Sequence, residues 1–175
     1  MTKQTLFIDN LAFAKKNERL AGNLSLADCS RLNELLQYSA VMTQSINNPA
    51  GSISYILQGS TDAAGRHLLN LSLITKLTTT CQRCLGEMPL NLSLNFNYLI
   101  SEVSDTDLSS VEIDNSDDID VQQASQNMDI IALLEDEIIM AMPIASIHKG
   151  DCGVIVSQSG EKANPFAVLK GLIKS

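Results

Sequence analysis

At 175 residues, with 45% hydrophobic and 18% charged residues, the chain has the composition of a folded globular protein and not of a disordered one. Aromatics are few (three Tyr, four Phe, no Trp), so a core has to be built from Leu, Ile, Val, Ala and Met. The formal charge of −8 argues against a surface that attracts phosphate everywhere.

The first elements are short. Residues 6–20 mix a short extended entry with a turn of helix at Leu11 to Lys16, followed by a short strand from Leu20 to Leu24. Ser25-Leu26-Ala27-Asp28 has the form of a capping box, with the acid three residues after the Ser. Behind it Leu32, Leu35 and Leu36 recur at helical spacing to about Ala40, with Cys29 expected inside that helix as packed core. Asn47-Asn48-Pro49-Ala50-Gly51 is turn chemistry.

The middle of the chain is rich in strand signals. Ser52 to Gln58 alternates, although Ile56 breaks the pattern, and Asp62-Ala63-Ala64-Gly65 supplies a turn. His67 to Thr79 and Leu90 to Leu99 alternate cleanly, with Leu69, Leu71, Leu73, Leu77, Leu92, Leu94, Phe96 and Tyr98 on one side. Runs of period two of this length predict antiparallel strands with one buried face. The short Cys81–Pro89 link between them makes a hairpin whose tip carries two cysteines.

Residues 101–127 hold seven Asp or Glu from Asp105 to Asp120 and no basic residue, which predicts a mobile acidic loop, with Val111 and Ile113, and Ile119 and Val121, as stations for one edge strand. Asp129 can cap a helix from Ile130 to Met142, which Pro143 stops. Asn164-Pro165-Phe166 is a helix start, with Asn at the cap and Pro at the first helical position. The expected fold class is therefore α+β: an antiparallel sheet with a long central hairpin, packed by helices from the N-terminal, central and C-terminal segments. One domain over 1–175 is expected.

Charge is segregated. From Leu85 through His148 there is no Lys or Arg but thirteen Asp or Glu, and the rest of the chain carries all twelve basic residues against seven acids. The basic residues are dispersed, as on a solvated surface. No apolar region of signal-peptide length follows a basic start at the N-terminus, no stretch approaches the length of a membrane span, and the apolar section Ile130–Ile147 is cut by Glu135-Asp136-Glu137 and Pro143. A soluble cytoplasmic protein with no membrane partner is the expectation, and its four cysteines are then thiols or metal ligands before they are disulfides.

Cys81-Gln82-Arg83-Cys84 is the sharpest local signal, because two intervening residues let both thiolates face one metal ion from a tight knuckle. His148 and Cys152 would complete a Cys-Cys-His-Cys set if the loop after the Ile130 helix returns to the hairpin tip. Zinc is the cofactor expected for such a set. Two other readings stand beside it: a redox pair, disfavoured because the cysteines lie in a hairpin and not at a helix start, and small side chains packed in a turn. Glu135-Asp136-Glu137 places three consecutive carboxylates on a helix, where they fan out instead of converging as acid–base chemistry needs. A solvated face, or an acidic patch for a basic partner, is expected there. There is no Gly-rich phosphate loop, no Gly-flanked nucleophilic Ser and no His-Glu metalloprotease pair, so no enzyme and no small-molecule substrate is expected.

Three ordered segments carry a resemblance: Cys81-Gln82-Arg83-Cys84 after an alternating strand, Leu133-Leu134-Glu135-Asp136-Glu137-Ile138-Ile139 ending in Ala141-Met142-Pro143, and Asn164-Pro165-Phe166-Ala167-Val168-Leu169. With the acidic centre and the His148…Cys152 pair in the same order, the chain resembles the YceD family of large ribosomal RNA subunit accumulation proteins. The resemblance implies a non-enzymatic role in synthesis, processing or stability of 23S ribosomal RNA. It would act by binding a large-subunit ribosomal RNA precursor or a basic large-subunit ribosomal protein. Partner-binding candidates are Glu135, Asp136, Glu137, Arg83, Asn164, Pro165 and Phe166. The alternatives are a zinc-stabilised protein-interaction module without an RNA role, and an RNA-processing enzyme with carboxylates holding Mg²⁺.

Overall fold

The structure is a computed structural model and describes residues 6–43, 51–102 and 119–152. The predicted turn at 47–51 (except Gly51) and the helix start at Asn164, Pro165 and Phe166 lie outside the described residues.

The elements run β1 (Phe7–Ile8), α1 (Asn10–Lys15), β2 (Arg19–Ser25), a 3₁₀ turn (Leu26–Asp28), α2 (Ser30–Thr43), β3 (Gly51–Thr61), β4 (His67–Thr80), β5 (Glu87–Ser101), β6 (Asp120–Gln123), β7 (Met128–Asp129) and α3 (Ile130–Ala141). The α+β class and the long hairpin stand as expected. Strands β2-β3-β4-β5-β6 form one sheet in that order, antiparallel except for the last pair, and β1 pairs with β7. The hairpin register runs from Leu68↔Leu99 to Thr80↔Glu87.

Period-two sequence becomes two faces. Ile53, Tyr55 and Leu57 of β3 and Leu69, Leu71, Leu73 and Leu77 of β4 point inward and are buried. Phe13 and Ala14 of α1, Leu32 and Leu36 of α2, and Ile130, Ile131, Leu134 and Ile138 of α3 cover them in one cluster. Ile56 breaks the alternation because it is on the outer face, 40% exposed. Leu35 was expected to join Leu32 and Leu36 inside, but it is turned out and 42% exposed. Of these three leucines, the i, i+4 pair Leu32 and Leu36 enters the core.

Two positions require glycine or asparagine for reasons of contact. A Cβ on Gly59 would sit 2.5 Å from the Phe13 carbonyl oxygen, so α1 can lie against β3 only where the side chain is absent. Asn10 is fully buried. Its Nδ2 donates to the Gln123 carbonyl (2.9 Å) and its Oδ1 accepts the Ser125 N–H (2.8 Å). This ties α1 to the chain leaving β6.

Both ends of the segment 101–127, expected as an acidic loop, carry strand residues. Ser101 belongs to β5 and Asp120–Gln123 form β6, while the Ala124 N–H donates to the Ser101 carbonyl at 2.8 Å. Residues 103–118 lie outside the described ones. Pro89 is accommodated inside β5 because β6 pairs only with Tyr98–Ser101, so that among the described residues Pro89 has a strand on its β4 side (Thr78) and none on the other. Among the described residues, no helix is long and apolar enough to cross a membrane.

Candidate metal centre

The hairpin between β4 and β5 closes tightly. The Cys81 N–H donates to the Gly86 carbonyl and the Leu85 N–H to the Cys81 carbonyl, each at 2.9 Å. Leu85 takes a left-handed backbone, φ 60°, which bends the tip so that the sulfurs of Cys81 and Cys84 face the same side.

The second half of the site comes from the end of α3. Asp129 caps the helix start by accepting the N–H groups of Ile131 and Ala132 at 2.9 and 3.2 Å. At the other end Met142 is already extended, as a residue before proline prefers. The chain then turns back along the hairpin tip, where the Gln82 N–H donates to the Ser146 carbonyl at 2.8 Å. This anchor brings His148 and Cys152 beside the two hairpin cysteines. The ligand atoms of Cys81, Cys84, His148 and Cys152 all lie within 4.8 Å of one another.

The spacing fits a metal ion. Zn–S and Zn–N bonds of about 2.3 and 2.0–2.1 Å in a tetrahedron give S···S edges of about 3.8 Å and S···N edges of about 3.5 Å. The Cys81–Cys152 sulfurs are 3.8 Å apart and the Cys84 sulfur is 3.5 Å from His148 Nδ1. With Nδ1 turned to the sulfurs, Nε2 faces the Glu87 carbonyl at 3.1 Å, the outer hydrogen bond that fixes a ligating imidazole. All four cysteines are free thiols.

The electrostatics favour thiolates at Cys81 and Cys152. Burial pushes the Cys81 thiol up, but the backbone N–H groups of Cys84, His148 and Arg83 outweigh it and bring it down to about 5. Burial also raises Cys152, and the Arg83 guanidinium and His148 overcome this, leaving it below an ordinary thiol. At Cys84 the Gly86 N–H acts downward, yet burial and the neighbouring sulfurs of Cys152 and Cys81 leave it raised. His148 is raised, chiefly by its interaction with Cys152. Arg83 donates through Nε to the Cys152 sulfur at 3.0 Å and also to the Gly150 carbonyl, so it lies over the cluster while its own surface stays exposed.

The acidic triplet does something the sequence did not suggest. Glu135 is only 4% exposed, so it is not on a solvated face; its carboxylate accepts the backbone N–H groups of Arg31 and Leu32 at the start of α2. Asp136 pairs with the Arg31 guanidinium. Glu137 accepts the Tyr98 hydroxyl at 2.7 Å. Asn164, Pro165 and Phe166 lie outside the described residues. Asn10, which ties two segments together, carried no local signal, since a lone Asn before a short helix looks like a surface cap.

An α+β domain with a three-cysteine, one-histidine cluster at a hairpin tip is the class that the fold and the site define. The family model for the large ribosomal RNA subunit accumulation protein YceD matches residues 69–173, which take in the hairpin, α3 and all four cluster residues. The chain belongs to the YceD family. A curated relative, the large ribosomal RNA subunit accumulation protein YceD of Haemophilus influenzae, is 30% identical over 102 residues, 53% of this chain and 57% of that protein. The chain thus spans little more than half the length of that relative. No solved structure matches.

Proposed function

We propose that this protein promotes accumulation of large-subunit ribosomal RNA by binding, without catalysing a reaction, and that its hairpin-tip cluster holds a structural zinc ion. Family membership through residues 69–173 carries the first part. The relative's name gives the RNA class, and 23S ribosomal RNA or its precursor is the bacterial form of it. The work of the carboxylates supports action without chemistry: Glu135 and Glu137 are each spent on a partner within the fold, and Asp136 pairs with Arg31 at the surface. A nuclease needs such groups converging on a metal.

Zinc is favoured by the donor set, because three thiolates and an imidazole closing a tetrahedron leave no open position and so make a structural site. Cys81, Cys84, His148 and Cys152 would hold the ion, which supplies cross-linking between the hairpin and the segment after α3. Reduced thiols of this kind fit the cytoplasm. The partner is the RNA itself or a basic ribosomal protein, with Asp136, Arg83 and the Asn164-Pro165-Phe166 segment as contact candidates.

The test is depletion of the protein in its own cells, followed by measurement of large- and small-subunit ribosomal RNA and by in-cell crosslinking. A selective fall in the large-subunit RNA, with crosslinks to that RNA or to its proteins, is expected. Unchanged subunit ratios would remove the reading. Purified protein that cleaves precursor RNA when Mg²⁺ is added would replace it with the enzymatic one.

A further inference from the structure

Four rows of four residues cross the outward face of β2, β3, β4 and β5, from the row joining Arg19 to Asn97 to the row joining Ser25 to Asn91. None of these sixteen residues is buried and none is acidic, although the chain holds 20 Asp or Glu. Ten are Asn or Ser, and the two charges are Arg19 in the first row and Lys76 in the last. The one acid in the four strands is Glu87, four residues before Asn91. The middle of the face is a groove of about 410 Å³ that Ile56 and Ile74 help to line, 40% and 58% exposed. Around them the amides are already ordered. Asn23 accepts the Ser54 hydroxyl at 2.6 Å, Asn95 the Ser72 hydroxyl at 2.8 Å and Asn97 the Asn70 amide at 2.6 Å. Each of these carbonyls is thereby used, and the amide N–H groups are left to outside acceptors.

We propose that this face binds a single-stranded segment of RNA. The proposal rests on the reading that the protein acts by binding, and it names the surface and the form of the partner. Charge favours a polyanion here. Lys15, Lys16, Arg31 and Arg66 are each paired with an acid, whereas Arg19 and Lys76 have no ion pair among the described residues. Lys149, also without one, lines a groove with Asn91 of the last row. Glu18 and Asp62, which border the Arg19 end in sequence, are held by Lys16 and Arg66. The backbone positions of Arg19 and Lys76 are about 22 Å apart by strand geometry, comparable with the shortest single-strand sites of about four nucleotides. Between these two phosphate contacts, bases rest on Ile56 and Ile74 and offer their oxygens to the amide donors. In a duplex the bases are stacked inside, out of reach of the two isoleucines. A basic protein would find no acid to pair with on this face.

The test uses the full-length protein and fluorescein-labelled RNA segments, about 12 nucleotides long, that tile large-subunit ribosomal RNA. The tightest single strand is expected to bind about tenfold better than its duplex. Arg19→Gln with Lys76→Gln is expected to weaken binding about tenfold and to flatten the slope of log K against log salt by about 1.4, the loss of two single-strand phosphate contacts. Lys15→Glu makes the same change in net charge on the helix that covers the other face, and is expected to weaken binding less than about threefold. Asn95→Asp and Asn97→Asp keep shape and acceptor while adding negative charge. Each is expected to weaken binding severalfold at an unchanged urea midpoint. No bound segment, duplexes bound as well as single strands, or a double variant no weaker than Lys15→Glu would overturn the proposal. So would a photo-crosslinking residue at position 74 that captures a protein or a second copy and no RNA. The accumulation reading fails separately: unchanged subunit ratios on depletion, with RNA binding at this face intact, remove that reading alone. A fall in large-subunit RNA on depletion, with binding indifferent to the double variant, removes the face alone.

Discussion

The Glu135 carboxylate accepts the Arg31 N–H at 2.7 Å and the Leu32 N–H at 3.1 Å, so a side chain on α3 caps the start of α2 from 104 residues away. The residue before α2 is Cys29, whose buried sulfur is a poor acceptor, and Glu135 supplies what a local Ser or Asp would ordinarily give. A carboxylate at a helix N-terminus also meets the positive end of the helix dipole. Glu135→Ala is expected to cost about 1–3 kcal/mol in urea unfolding, through a lower midpoint at unchanged slope. Glu135→Gln, which keeps one acceptor, should lose less. A change within about 0.5 kcal/mol for the Ala variant would mean that the cap contributes nothing.

Cys29 gives the fold an alkaline limit. Burial, reinforced by Glu135 and Asp28, pushes its thiol from 9.0 up to about 12. The folded state therefore holds the proton while the unfolded chain releases it above pH 9. Stability from this group is complete below pH 9 and falls as pH rises from there toward 12. Relative to Cys29→Ala, the parent protein is expected to lose up to about 1 kcal/mol per pH unit over that range, under the ideal of about 1.4 for one fully coupled proton. Parallel pH–stability curves for the two proteins would contradict this.

Metal analysis decides the cluster. Protein purified without added metal is expected to carry about one equivalent of zinc, and Cys81→Ser, Cys84→Ser and Cys152→Ser to lose most of it. Chelation should lower Tm in the parent and leave Cys81→Ser unmoved. Less than about a tenth of an equivalent in the parent would sink the metal reading.

Gly59→Ala tests the contact between α1 and β3. The new methyl would lie 2.5 Å from a backbone oxygen and 2.8 Å from the Ala14 Cα, neither of which can swing away as a side-chain tip would. A loss of about 1–3 kcal/mol is expected. A neutral or stabilising result would show that α1 shifts freely.

Asn10→Ala leaves the Gln123 carbonyl and the Ser125 N–H without their side-chain partners at a part-buried contact. About 1–3 kcal/mol should be lost, and amide exchange at 123–125 should speed up more than exchange in β4. Equal protection at both places would separate Asn10 from this segment.

Much of the sheet was legible because alternation is a property of each strand by itself: Leu69, Leu71 and Leu73 face inward whatever lies beside them. The cluster residues were legible because Cys81 and Cys84 share a tip and Pro143 turns the chain back after α3. What escaped reading depends on partners distant in sequence. Glu135 looked like one of three solvated carboxylates because nothing in Leu134-Glu135-Asp136 reveals that the start of α2 packs there. Leu35 looked like core because spacing gives a face but not its width. The parallel pairing of β6 depends on how the chain crosses from Glu102 to Ile119, which the local pattern of β6 does not contain.

The cluster draws its ligands from two places far apart in the chain: Cys84 and His148 are 64 residues apart, and Cys81 and Cys152 are 71 apart. Synthesis at about 5–20 residues per second separates the first pair of thiols from the second pair of ligands by roughly 3–13 s. For that time the nascent hairpin ends in two uncommitted sulfurs. A chain interrupted before residue 148 lacks two of the four candidate ligands, so under the zinc reading proposed above it would not retain the ion.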